Sequence, residues 1–427
     1  MLETMFPKTH HRYAALPLLG SLVDDFAVWL SQCDYRPETI RVMLGPIGQV
    51  DQWLQSSGLH DITGLDAPVL EACWRHFYRR NSAQGRTLGG LIRALARYVE
   101  AAGLLRPTSL PPLTPSQRLL ATYTEYLIHV RGLTQGTIAE HARNTLGFLG
   151  HLEYDATPAG LGSLSASRVE SFVRLRAGRL GRGSQQHLVA HLRSFLRFLA
   201  TTGQCPSGLD ATIDTPRLYR LEQLPRALPW ETVQALLQSI DRHTTLGLRD
   251  YTMLVLIATY GLRISEIAAL TLDHVHWRDG WLQVPRCKTR DVLHLPLTDR
   301  VGEILVQYVQ QARPANVPCR ALFLRSRTPI RALGPTAVSM VFDRWAKRSG
   351  LAIPFYGAHC LRHTYAVHLL HTGASLKTIG DLLGHRDSDS TYVYLRLATE
   401  ELREVSLPVP TLATHPQPLE LSYAHTP

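Results

Sequence analysis

Apolar residues recur at helical spacing through most of the chain, and glycines and prolines punctuate them. From Leu22 the pattern runs through Phe26, Trp29 and Leu30, then Ile40, Val42, Leu44, Val50, Trp53 and Leu54, then Leu70 to Phe77, then Leu88 to Val99, predicting a helical unit that ends near Gly103. Residues 1 to about 18 carry no periodic signal and are expected to be a loose arm. Pro107, Pro111, Pro112 and Pro115 make the next stretch extended, after which the plan repeats in Tyr123 to Val130, Thr137 to Leu152, Ala166 to Leu175 and Gln185 to Leu199. The two runs read as a duplication: Ile92-Arg93-Ala94-Leu95-Ala96-Arg97-Tyr98 recurs one hundred positions on as Leu192-Arg193-Ser194-Phe195-Leu196-Arg197-Phe198, and Gly103 matches Gly203.

A second aperiodic stretch, 205–228, separates these helices from a different region. Glu231 to Ile240 opens it, and Met253 to Tyr260 is so uniformly apolar that its helix must be buried on every side. Strand alternation appears in Trp281 to Pro285 and Val292 to Leu297, a predicted hairpin around the polar loop Arg286-Cys287-Lys288-Thr289-Arg290-Asp291. Helices are expected at Val301 to Gln311 and Thr336 to Ser349. A third helix runs through Leu361 to Leu370 and stops before Gly373; Ser375 caps a fourth, which ends at Gly384. A short helix then carries Tyr392 and Tyr394. The fold class is therefore mainly α with a small β-hairpin, and the proline-rich end, 407–427, is expected to be a disordered tail.

The 427 residues suffice for two to four domains, and 45 Lys plus Arg against 35 Asp plus Glu give a net charge of +10. That balance favours a polyanionic partner, for which double-stranded DNA is the candidate. Six scattered cysteines without a close pair argue against a zinc module or a disulfide framework and fit a reducing cytoplasm. No apolar run is long enough to span a bilayer. Arg174, Arg176, Arg290, Arg344 and Lys347 are candidate phosphate contacts.

The chemistry concentrates between Tyr356 and Arg396. His359, Arg362 and His385 fall at helix ends, where cationic side chains and free backbone N–H groups converge on an anion. A phosphodiester attacked by a phenol oxygen passes through five-coordinate phosphorus with added charge on its non-bridging oxygens, which fixed guanidinium and imidazole donors stabilise. Metal-assisted hydrolysis would need clustered carboxylates, and Asp381, Asp387 and Asp389 each suit a helix surface or cap, so neither metal nor cofactor is called for.

His359-Cys360-Leu361-Arg362-His363-Thr364, then Leu383-Gly384-His385, then Tyr394, resembles the second signature box of the tyrosine recombinases, or phage integrases, of the XerC/XerD kind; Thr259 to Glu266 resembles the first. The resemblance implies a catalytic set of Arg263, Lys288, His359, Arg362, His385 and Tyr394. Glu266 supports Arg263, and Tyr392 is a decoy. Lys288 stands in the hairpin loop, without the Gly-Lys-Gly form common in the family. It also implies a SAM-like core-binding domain at 117–204 with a duplicated SAM-like domain at 1–106, a linker at 107–116, and a DNA breaking-rejoining catalytic domain at 229–406. The implied activity is metal-free cleavage and rejoining of DNA through a 3′-phosphotyrosine by a homotetramer on two DNA sites, as in integration or recombination of a mobile element. Two other readings use the same scaffold: a DNA-binding regulator that no longer cuts, and a type IB topoisomerase.

Overall fold

The computed structural model describes residues 1–79, 82–106, 112–217, 225–286, 291–315, 317–385 and 389–397. The chain divides into two compact units, Met1–Gln32 with Arg36–Glu222, and Gln223–Pro427 with Cys33–Tyr35.

In the first unit the two runs end alike. The helices Ala83–Ala101 and Arg182–Thr201 close with Gly103 donating to Glu100 O at 3.1 Å and Leu104 to Val99 O at 2.8 Å, matched by Gly203 to Ala200 O at 3.1 Å and Gln204 to Leu199 O at 2.8 Å. Both glycines sit in the left-handed region, at φ 66° and 68°, where a side chain would be strained. Upstream the runs differ. Pro37–Leu44 and Ile47–Ser56 are two helices, whereas Gln135–His151 is one, since Pro46 cannot donate the N–H that a continuous helix needs. Ile40 and Ile138 are nonetheless both buried.

The first eighteen residues correct the expectation of a loose arm. Leu2–Met5 and His10–Ala14 are helical; Leu2, Met5 and Leu18 are buried. The buried Asp51 carboxylate accepts the Leu18 and Leu19 N–H groups at 3.0 and 2.7 Å. Helices this short are below the length at which periodicity registers.

The second unit forms around the helix Thr245–Tyr260, whose residues from Gly247 to Ala258 are all buried and which stops at the left-handed Gly261, φ 64°. Against it packs a core that includes Leu236, Ile267, Leu305, Phe342 and Leu361. The expected hairpin is strands β2 (Trp281–Pro285) and β3 (Val292–Pro296), antiparallel with Trp281 opposite Pro296 and Pro285 opposite Val292. Val275–His276 adds a strand β1 on the other edge of β2, too short to show alternation. The helix expected to reach Gln311 is α only over Asp299–Gln307 and widens into a π turn, Tyr308–Ala312, where the buried Tyr308 hydroxyl donates to Leu322 O at 3.0 Å.

Pro335–Arg348, His359–His371 and Leu376–Leu383 follow, then the short helix Asp389–Tyr392 and the 3-10 turn Val393–Leu397. Ser375 caps the Leu376–Leu383 helix by accepting the Thr378 N–H at 3.1 Å, and Gly384 closes it at φ 63°.

Candidate active site

Three arginines converge on one helix end. At the end of Leu376–Leu383 the cap supplies Gly384 N–H to Asp381 O and His385 N–H to Gly380 O, and guanidiniums meet the carbonyls from Asp381 onward. Arg286, just beyond β2, donates to Asp381 O at 3.2 Å and Leu382 O at 2.8 Å; Arg362 donates to Leu383 O; Arg263 donates to Gly384 O at 3.3 Å. The negative end of the helix dipole thus meets the cations.

Each arginine is held by its own element. Arg263 is the N-cap of the helix Ile264–Ala269, and Glu266 fixes it twice, accepting the backbone N–H and Nη1, both at 2.8 Å. Glu266 is itself buried, so the pair keeps its geometry without competition from water. Arg362 is 3% exposed and also donates to Gly261 O at 2.6 Å, so the carbonyl at the end of the buried helix locks it in place. Burial, with Arg263 beside it, pulls its guanidinium down to about 10, still cationic at neutral pH. Arg286 is also pulled down by burial, and its Nε is buried without a hydrogen-bond partner among the described residues.

Tyr394 lies in a small core with Ala366, Ile379 and Leu383, 2% exposed, whereas Tyr392 is 53% exposed. The Tyr394 hydroxyl is 3.1 Å from His363 Nδ1. Burial raises the phenol above its ordinary value, and the charges of Arg362 and Arg263 oppose that rise, which brings both sequence-predicted arginines into the electrostatic surroundings of the tyrosine. His385 stacks on Tyr394 with ring centroids 6.3 Å apart and is held through Nδ1 by the Thr391 hydroxyl at 2.8 Å. His359 meets His363 edge-on at 4.6 Å.

Both His363 and His385 are pushed down to about 4. Burial acts first on each, followed for His363 by His359, Arg362, His385 and Arg226, and for His385 by Arg362, Arg263, Arg286 and His359. Burial first, and the neighbouring cations after it, keep both imidazoles neutral at neutral pH.

Arg263, Glu266, His359, Arg362, His385 and Tyr394 thus share one site in the second unit. Lys288 and Arg290 lie outside the described residues. Arg344 is partly exposed, its Nη2 3.4 Å from the buried Asp250, which also accepts Trp345 Nε1 at 2.9 Å. Lys347 is exposed. In the first unit Arg174 pairs with Glu170 at 2.9 Å on an exposed face, and Arg176 lines a cavity of about 530 Å³ with Arg143, His187 and His191. Sequence reasoning gave no role to His363 or Arg286. His363 stood inside the quoted motif, four residues from His359, and that spacing was the available signal.

The fold is that of solved site-specific recombinases. A structure of the XerH recombinase bound to its difH substrate superposes with a TM-score of 0.53 at 17% identity, covering 69% of this chain and 98% of that one. A lambda integrase dimer on a COC′ core site gives 0.50 at 18% identity, covering 65% and 94%. In sequence, the model of the phage integrase family matches residues 226–401. The protein y4rA of Sinorhizobium fredii (strain NBRC 101917 / NGR234), which its name assigns to the integrases/recombinases, is 32% identical over 392 residues, 90% of this chain and 93% of the relative. The tyrosine recombinase XerD of Listeria innocua is 29% identical over 291 residues, 67% and 96% of the two chains. The chain belongs to the phage integrase family, the tyrosine recombinases, whose members are enzymes that cleave and rejoin DNA. Among the described residues no helix is long and apolar enough to cross a membrane.

Proposed function

We propose that this chain cuts and rejoins DNA at specific sites through a 3′-phosphotyrosine on Tyr394, acting in the cytoplasm. The observation that carries the reading is the geometry of one site: Arg362 and Arg263 donate to the Leu383 and Gly384 carbonyls, and Tyr394 packs in a small core with the same Leu383. The phenol oxygen gives up its proton to solvent and attacks phosphorus as the P–O5′ bond breaks. Arg263 and Arg362 bind the non-bridging oxygens, and their charge favours the developing phenolate. His359 and His385 supply further donors, and Lys288 protonates the departing 5′ oxygen. Bond energy stays in the ester, so rejoining needs no nucleotide. Residues 117–204 form the core-binding domain behind a duplicate at 1–106, and 229–406 form the catalytic domain. Arg174, Arg176, Arg290, Arg344 and Lys347 touch phosphates.

The test is to incubate the purified chain with a pool of DNA duplexes of randomised sequence and recover protein-DNA adducts that survive detergent. Wild type and Tyr392→Phe should give adducts and Tyr394→Phe none; adducts from Tyr394→Phe would refute the assignment. Arg263→Ala and Arg362→Ala should each slow adduct formation by ~100-fold or more, the scale for losing one donor to a transition-state oxyanion.

A further inference from the structure

The hydroxyl of Tyr394 is buried, and a buried phenol needs a partner. Its recorded partner among the described residues is His363, which neither signature motif assigns and which stands on the adjacent turn of the His359–His371 helix from Arg362's neighbour His359. We propose that His363 is the positioning residue for the nucleophile: the Tyr394 hydroxyl donates to Nδ1 of a neutral His363 at 3.1 Å, which fixes the C–O–H rotor and leaves the oxygen's lone pairs free for phosphorus.

The surroundings explain why this imidazole is neutral. His359 lies edge-on at 4.6 Å, Arg362 precedes it on the same helix, and His385 and Arg226 face it from other elements; a proton on the ring would add a charge to this set. With Nδ1 as the proposed acceptor, a neutral His363 carries its proton on Nε2. His385 meets Tyr394 ring against ring, with centroids 6.3 Å apart and its Nδ1 engaged by Thr391. An unguided phenol would rotate about its C–O bond, and a misdirected lone pair is a misplaced nucleophile.

The assignment rests on Tyr394 being the nucleophile, so its test has one arm that needs no DNA. In the full chain labelled with ¹⁵N-histidine, with the His363 signals identified through His363→Asn, the ring should show the Nε2–H tautomer, and Tyr394→Phe should shift its Nδ1 resonance. The second arm uses the randomised duplex pool. His363→Ala should lose adduct formation by ~10- to 100-fold, and His363→Asn, whose side chain restores an acceptor near Nδ1, should recover to within about threefold, with filter retention of DNA unchanged in both. An Nδ1–H tautomer, an alanine variant that forms adducts at the wild-type rate, or an asparagine variant as inactive as alanine would each overturn the proposal. Should alanine fail to fold, the asparagine variant and the nitrogen spectra decide it. A wild-type chain without adducts would count against the recombinase mechanism, and the spectra alone would then support or overturn the hydrogen bond.

Discussion

At the scale of single residues, Gly384 does two things. Its left-handed φ of 63° lets the Leu376–Leu383 helix stop, and its missing side chain leaves room for Arg286, whose guanidinium a Cβ would overlap. The residue before His385 is thus glycine for a backbone reason and a packing reason together. Gly384→Ala should destabilise the second unit by about 1–3 kcal/mol from strain alone, and should also push Arg286 off the Leu382 carbonyl. Chemical denaturation, read beside adduct formation on the duplex pool, checks both; wild-type stability with wild-type adduct yield would show that Arg286 yields without cost. Arg263 makes the complementary case. Its pairing with Glu266 could serve structure alone, but the Glu266 carboxylate leaves Nη2 pointed at Gly384 O, on the face shared with Arg362 and Arg286.

At the scale of elements, the site is an assembly of ends. A helix C-terminus presents carbonyls, two glycine stops and one N-cap aim three arginines, and the end of β2 delivers one of them. The cationic crowding has a measurable consequence for folding. His363 and His385 titrate near about 4 in the folded chain, and so does His141 of the first unit, where burial is again the leading cause. In the unfolded chain each returns to about 6.5. As pH falls the unfolded state binds protons first, so the stability contributed by these groups is complete above about 6.5 and is lost progressively down to about 4. The melting temperature should therefore drop between about pH 7 and pH 5, and His385→Asn should flatten the drop for the second unit; a calorimetric profile level over that interval would contradict the depressed values. DNA in the site should raise the values of His363 and His385, since a phosphate offsets the cations.

At the scale of the whole molecule, one chain offers one Tyr394, and exchange between two duplexes takes four strand cleavages. We therefore propose a homotetramer on two sites. The segment from Thr399 to Val405, which lies outside the described residues, mixes apolar Leu402 and Val405 with Glu400, Glu401, Arg403 and Glu404, too few apolar positions to anchor it firmly in its own domain. It is the proposed link between protomers. Truncation after Arg396 should leave binding to a single half-site nearly unchanged and weaken cooperative filling of a full site. A gel-shift titration on a sequence recovered from the adduct pool measures this, and unchanged cooperativity would place the segment within its own protomer.

Much of this molecule was legible because its signals are local. Helical periodicity, the glycine stops at Gly261, Gly373 and Gly384, the Ser375 cap and the alternation on either side of the hairpin loop act within a few residues, and the structure places helices and strands there. The motif spacing likewise brought Arg263, His359, Arg362, His385 and Tyr394 to attention before their geometry was known. What depended on contacts far along the chain was not legible. Arg286 reaches a carbonyl 96 residues away, and His363 meets a hydroxyl 31 residues away. β1 exists because β2 lies beside it, and the segment after the first two helices is held at Leu18 and Leu19 by Asp51. Periodicity reports which face of an element is apolar; only packing decides which polar groups that burial leaves together, and in this protein those groups make up the site.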